Sequence, residues 1–524
     1  PFFSDGTSMY THDVSGTDDT AQNNTAYGFN ALDAITTGDL NTAIGYGAGG
    51  AINSGGSNTI LGAYAGDAID GGSGNVAIGK SALGLEDSHG RNVAVGYESL
   101  ANQNAGADAY NVAVGYSAGV SVTTGVLNTI IGGLAGDALT TGARNVAIGY
   151  EALTTEDTGS RNVAIGHKTL NNLNYDGNGY NVAVGYNAGL AVTTGTKNSL
   201  IGGDVGVSLT IGNFNTALGY GALNASVDGD YNTAIGYQAL LSYEDGDGNG
   251  NNTAIGNQSQ LNATTGEFNT SLGSLSMGSG VTTGDYNVAL GYKAGEDLTS
   301  ANTTTLVGAF AGLNLTSGTN NTAVGYAALA TENAHGHNTA VGYAALNYLD
   351  AGADGYNVAV GSNAGGAMTT GIENTLIGSL AGDALTTGAG NVAIGYQALT
   401  TQIVGGRNVA VGSQALKNQN INANGNNTAV GHQAGVDVTT GNQNTLIGSL
   451  AGNSLTTGSE NVAIGYAALI SEDAHGKNVA IGKSALTAQD AGADAYNVAV
   501  GFEAGKAVTT GTQNTLIGGL AGDA

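Results

Sequence analysis

Apolar, small and polar positions recur along this chain on one short period. The unit reads Asn-(Val/Thr)-Ala-(Ile/Val)-Gly-Tyr-x-Ala-(Leu/Gly) and closes with a polar turn, often Thr-Thr-Gly. Its leading asparagines stand at Asn24, Asn41, Asn58, Asn75, Asn92, Asn111, Asn128, Asn145, Asn162, Asn181, Asn198, Asn215 and Asn232. They continue at Asn252, Asn269 and Asn287 and run on to Asn514, with Thr304 taking the place once. These 29 units leave almost no sequence for anything else. A fixed short period over a whole chain predicts a solenoid, in which each repeat is one coil and neighbouring coils bury each other's core.

Within a unit, Asn-Val-Ala-Ile-Gly reads as a short β-branched strand. Gly96, Gly115, Gly149, Gly185 and their equivalents follow it, where a turn needs positive φ. A second short strand is expected over Ala-Leu or Ala-Gly, and the Thr-Thr-Gly or Asp/Gly-rich piece turns the chain back. Helix is excluded by the period-two apolar spacing and the abundance of glycine. The expected fold is all-β: a parallel β-solenoid of about 17 residues per coil. Coils about 4.8 Å apart would stack 29 units into a rod of roughly 140 Å.

A second level of order overlies the first. From Asn111 the steps are 17, 17, 17 and 19 residues, so a block of 70 begins again at Asn181. The sequence YNVAVG recurs at Tyr110, Tyr180, Tyr356 and Tyr496. The register breaks once: Asn252 to Asn357 is 105 residues, one block plus two further coils. Residues 1–23 lack the full motif and read as an atypical lead-in, and residues 24–524 read as one continuous repeat region. The last residues, Ala521 to Ala524, match Ala135 to Ala138, where the chain goes on, so a segment of a longer protein is expected.

Neither strand face is polar. In Asn145–Gly149, Val146 and Ile148 point one way and Ala147 the other. Either the larger face fills the coil and alanine faces outward, or the reverse; the sequence leaves both open. Strands apolar on both sides are usually covered on both sides. Association with other copies is therefore expected, with a homotrimer as the natural closed arrangement. The asparagines Asn92, Asn111, Asn128, Asn145, Asn162, Asn181 and Asn198 are expected to form a ladder of amides bonding from coil to coil. Tyr97, Tyr116, Tyr150 and Tyr186 are expected to stack as an aromatic row rather than to bind sugar.

Composition narrows the possibilities. Glycine accounts for 91 residues and proline for one, Pro1, which suits a ladder in which every N–H pairs. The net charge is −28 with only 12 Lys+Arg, so nucleic acid is a poor partner. There is no cysteine, hence no disulfide framework or thiol chemistry. No stretch of about 18 apolar residues occurs, so no membrane insertion is expected within this segment.

The turns hold the residue types that could carry chemistry. His89, His335 and His475 share a Glu-x-x-His-Gly turn, which reads first as an exposed turn and second as a metal turn. The oxygen-rich turns Asn174–Tyr180, Glu244–Asn252 and Asp350–Tyr356 are the better metal candidates and suit Ca²⁺, although none matches an EF-hand. No other cofactor is expected. The pairs Glu86/Asp87, Glu156/Asp157 and Glu472/Asp473 have the residue types of a glycosidase, but they are adjacent, repeated and expected to be exposed, without a cleft. Ice binding by Thr-Thr-Gly is weakened because adjacent threonines point to opposite faces.

The unit NVAIGYxAL…TTG resembles the head repeats of trimeric autotransporter adhesins of the YadA type, built on a shorter (S/N)xAIGxxAxAxG unit. It is also similar to NTAIGYxAL…TTG segments of phage tail-fibre proteins, which often end in a self-cleaving chaperone domain. The resemblance covers nearly the whole chain. It implies a left-handed β-roll, a trimer, a virion or extracellular location and a role in attachment. The coil is longer here, and no stalk, membrane anchor or chaperone motif is present. The expectation is a non-enzymatic trimeric fibre shaft or head for attachment to a host cell or surface. A phage or viral tail fibre comes first and a bacterial surface adhesin second; a calcium- or ice-binding solenoid is the remoter reading.

Overall fold

The computed structural model describes residues 3–4 (backbone alone), 9–10, 20–244 and 249–523. The chain forms two compact units, Pro1–Glu267 and Phe268–Ala524. Each unit is an all-β parallel solenoid. In the first, fourteen repeat strands run from Thr25–Tyr27 to Thr253–Ile255; in the second, fifteen run from Thr270–Leu272 to Thr515–Ile517. Every repeat strand spans three residues and pairs in parallel with its neighbour on equivalent residues, as in Val146 with Val163, Ala147 with Ala164 and Ile148 with Ile165. At the usual strand spacing each unit is a stack of roughly 70 Å.

Among the described residues, the second strand expected in each coil does not form. The opposite side is a run of turns in which the sixth and eighth residues after the asparagine adopt the left-handed conformation, as do Glu151 (φ 53°) and Leu153 (φ 54°). The residue before each asparagine does the same, for example Arg144 (φ 60°). Left-handed residues break the alternation a strand requires.

The two strand faces are now distinct. From Ala26 to Ala499 the middle residue of every repeat strand is buried, while its neighbours face outward and are half-buried or exposed. Alanine therefore points into the coil, and the valine–isoleucine face lies outside. The interior is completed from three further positions: the small residue, mostly alanine, seven after the asparagine, the leucine or glycine eight after it, and the residue eleven after it, which in the 17-residue coils is six before the next asparagine.

The 70-residue block is a packing unit. Ala147 and Ala164 share their coils with Leu153 and Leu170, whereas the bulkier Ile130 shares its coil with Gly136. The fourth coil has Ala113 and Gly119, both small. A Cβ placed on Gly119 would lie 2.9 Å from Cδ1 of Ile130 and 3.1 Å from Cδ2 of Leu100, so side chains from the flanking coils fill that hollow. The coils at Asn252 and Asn269, where the register breaks, instead bury Gln260 in the first unit and Ser271, Ser276 and Met277 in the second. Of residues 1–23, Met9–Tyr10 pairs in parallel with the first repeat strand at Thr25 and antiparallel with Phe3–Ser4, and Tyr10 is buried in the first core.

Candidate functional site

The asparagine side chain reaches the next coil through Oδ1 and, in several coils, ties the end of its own turn through Nδ2. From Asn92 to Asn198, each Oδ1 accepts the backbone N–H of the next asparagine, at 2.8–3.2 Å, the last acceptor bonding Asn215. Nδ2 of Asn128, Asn145, Asn181 and Asn198 donates to the carbonyls of Gly142, Gly159, Gly195 and Gly212, at 2.8–2.9 Å. All seven asparagines are fully buried. Aspartate would lack the donor, and serine is too short to span both contacts.

Glycine is required directly after the strand. Gly96, Gly115, Gly149 and Gly185 have φ of 136°, 147°, 139° and 140°. A Cβ on Gly149 would collide with the carbonyl of Gly166, and the same holds at the other three against Gly115, Gly132 and Gly202. The tyrosines that follow are exposed and stack in short runs. Tyr97 lies 5.3 Å from Tyr116, and His167 bridges Tyr150 and Tyr186 at 5.7 and 5.2 Å. Gly133 interrupts the row between Tyr116 and Tyr150.

The acidic pairs are not arranged as the sequence suggested. Asp87 and Asp473 are exposed and Asp157 half-buried, but Glu86, Glu156 and Glu472 are completely buried, as is Glu332. They occupy the core position six residues before an asparagine, the place held by Ile35, Ile52, Ile69, Val122 and Leu139 in other coils. That count was present in the sequence; adjacency to an exposed aspartate masked it. Glu156 is satisfied, with Oε1 accepting from the Gly159 amide at 2.6 Å and Oε2 from the Tyr175 amide at 3.3 Å. Glu332 likewise accepts from the His335 and Ala351 amides at 3.1 and 3.3 Å. Oε1 of Glu86 and of Glu472 accepts from the His89 and His475 amides, each at 3.2 Å, while Oε2 of both has no partner within hydrogen-bonding distance. Burial pushes Glu86 and Glu472 up to about 7, against the opposing pull of those amide bonds, and raises Glu156 and Glu332 in the same direction. With no exposed surface, these glutamates offer nothing for a sugar to approach.

The oxygen-rich turns are engaged in cross-coil bonding. Oδ1 of Asp176 accepts from the Thr158 hydroxyl at 2.9 Å, and Oδ1 of Asp354 from the Gly336 amide at 3.0 Å. Residues 245–248, in the turn Glu244–Asn252, lie outside the described residues. In the Thr-Thr-Gly turns the first hydroxyl donates to a carbonyl of the next coil, as from Thr123 to Thr140 at 3.2 Å and from Thr140 to Asp157 at 3.0 Å. Grooves lie at coil corners within each unit. One is lined by Asp67, Ser81, Glu98 and Asn102, another by Tyr343, Asn347, Asn363 and Asp383. Among the described residues, no helix is long and apolar enough to cross a membrane. No family model matches the chain, and no curated protein matches it.

Proposed function

We propose that this chain is a structural, non-enzymatic part of an attachment fibre, working as a homotrimer whose stacked coils hold a receptor-binding region away from the surface that bears it. The observation that carries this reading is the outward strand face. Ile44, Ile131, Ile201, Leu218, Leu272, Ile377 and Ile447 are all more than a third exposed, at the same position of every coil they occupy. A regular apolar column of this kind is costly to leave in water and suits burial against identical columns of other copies. Cross-coil bonding at the asparagine and threonine positions supplies stiffness. The setting we favour is a phage or viral tail fibre. A bacterial trimeric adhesin is the second reading, carried by the likeness of NVAIGYxAL to adhesin head repeats; attachment to a cell or surface is common to both.

The test is the mass of the purified chain in solution by light scattering. Three times 51.3 kDa is expected. A folded monomer at micromolar concentration would sink the association argument and leave a single-chain solenoid with an exposed apolar face.

A further inference from the structure

Three of the buried glutamates have a histidine three residues on, and the geometry of these turns is that of an ion site rather than a hydrogen bond. Nδ1 of His89, His335 and His475 lies 4.0, 3.4 and 3.7 Å from Oε1 of Glu86, Glu332 and Glu472. All three Nδ1 atoms are shielded from water and have no hydrogen-bond partner. Oε2 of Glu86 and of Glu472, on side chains that are themselves fully buried, is equally unpartnered. Buried polar atoms left unpaired cost about 1–3 kcal/mol each, so the same orphaned set in both units calls for a missing partner. A third ligand stands beside each pair: Asp87, Asp350 and Asp473. In each trio the ligand atoms lie within 4.8 Å of one another.

We propose that these turns bind a divalent transition-metal ion of the zinc class: one through Glu86, Asp87 and His89 in the first unit, and two in the second, through Glu332, His335 and Asp350 and through Glu472, Asp473 and His475. Two ligand atoms on a tetrahedral ion with bonds of about 2.1 Å stand about 3.4 Å apart, which is the Glu332–His335 gap; the gaps at His475 and His89 are 0.3 and 0.6 Å longer, a small rotamer adjustment away. An imidazole nitrogen with two carboxylate oxygens suits zinc-like ions, whereas calcium takes six to eight oxygens. Two carboxylates balance the charge of the ion, and water completes the coordination. The chain also carries its own contrast. Glu156 and Gln402 begin the same turn with Gly159 and Gly405 in the histidine position, so these two turns lack the imidazole ligand.

The experiment is calorimetric titration of the full chain with zinc chloride after chelator treatment and desalting, with cobalt(II) absorption to read the geometry. Three ions per chain are expected, with the strong visible bands of tetrahedral cobalt. The triple variant His89→Gly, His335→Gly, His475→Gly copies the turn already present at Gly159 and Gly405, so it should fold, and it should lose all three ions. The variant His167→Asn, His432→Asn, altered only in the surface row, should keep them. Absence of saturable binding in the unaltered chain, or three ions retained by the triple variant, overturns the proposal.

Discussion

At the residue scale, two kinds of position carry most of the specification, and each predicts a measurable asymmetry. Gly149→Ala places a methyl group against the Gly166 carbonyl at a φ of 139°, and should destabilise the first unit by at least about 2 kcal/mol in chemical denaturation. Gly106→Ala, at a φ of 67° with nothing within 4 Å of the added carbon, should cost only about 1 kcal/mol. The buried glutamates act through protons. Their folded-state affinity is raised above the unfolded value, so each contributes stability that is complete below about pH 4.5 and is lost as pH rises through about 7 at Glu86 and Glu472. In metal-free buffer the melting temperature should therefore be higher at pH 5 than at pH 8. Replacing Glu86, Glu156, Glu332 and Glu472 with glutamine, the residue already present at position 402, should flatten that slope. A slope unchanged by the four substitutions would assign it to the net charge of −28 instead.

At the element scale, the coil is the repeating shape, but the block of four coils is the repeating volume. Ile130 is paired with Gly136, and Leu153 and Leu170 with Ala147 and Ala164, so that adjacent coils fill one another's hollows. Deleting residues 111–180 joins Tyr110 to Asn181 and leaves every such pairing intact; the shortened chain should melt within a few degrees of the original. Deleting only 128–144 removes Ile130 and strips one wall from the hollow at Gly119, and should lower the melting temperature clearly more. The period, the strand and the asparagine spacing were legible in the sequence because each depends on residues one coil apart. The missing second strand was not. It depends on Glu151, Leu153 and their equivalents holding a left-handed conformation that their residue types do not favour, and only the closed coil imposes it. The inward direction of alanine was also undetermined, because both faces are apolar and the choice rests on how much volume the coil encloses. The buried glutamates were countable by their distance from the next asparagine, yet a carboxylate reads as surface until its amide partners are placed.

At the scale of the whole molecule, the chain combines an acidic surface with an outward apolar column, and these oppose each other in association. If the column drives the trimer, a charged substitution there, such as Ile201→Lys with Ile447→Lys, should reduce the mass measured by light scattering while leaving the β spectrum of each chain in place. Loss of the fold along with the mass would mean that the coils cannot stand without their partners. One further consequence comes from the asparagine ladder. Oδ1 of each ladder asparagine accepts from the following coil, and in most coils Nδ2 ties the end of its own turn, so the bonds joining a coil to its stack are closely similar from level to level. A unit pulled by its two ends would then pay out thread one turn at a time at a nearly constant tension, each turn failing without cracking those behind it. Such a tether absorbs a sudden tug by lengthening, and its breaking load does not depend on how many turns it contains.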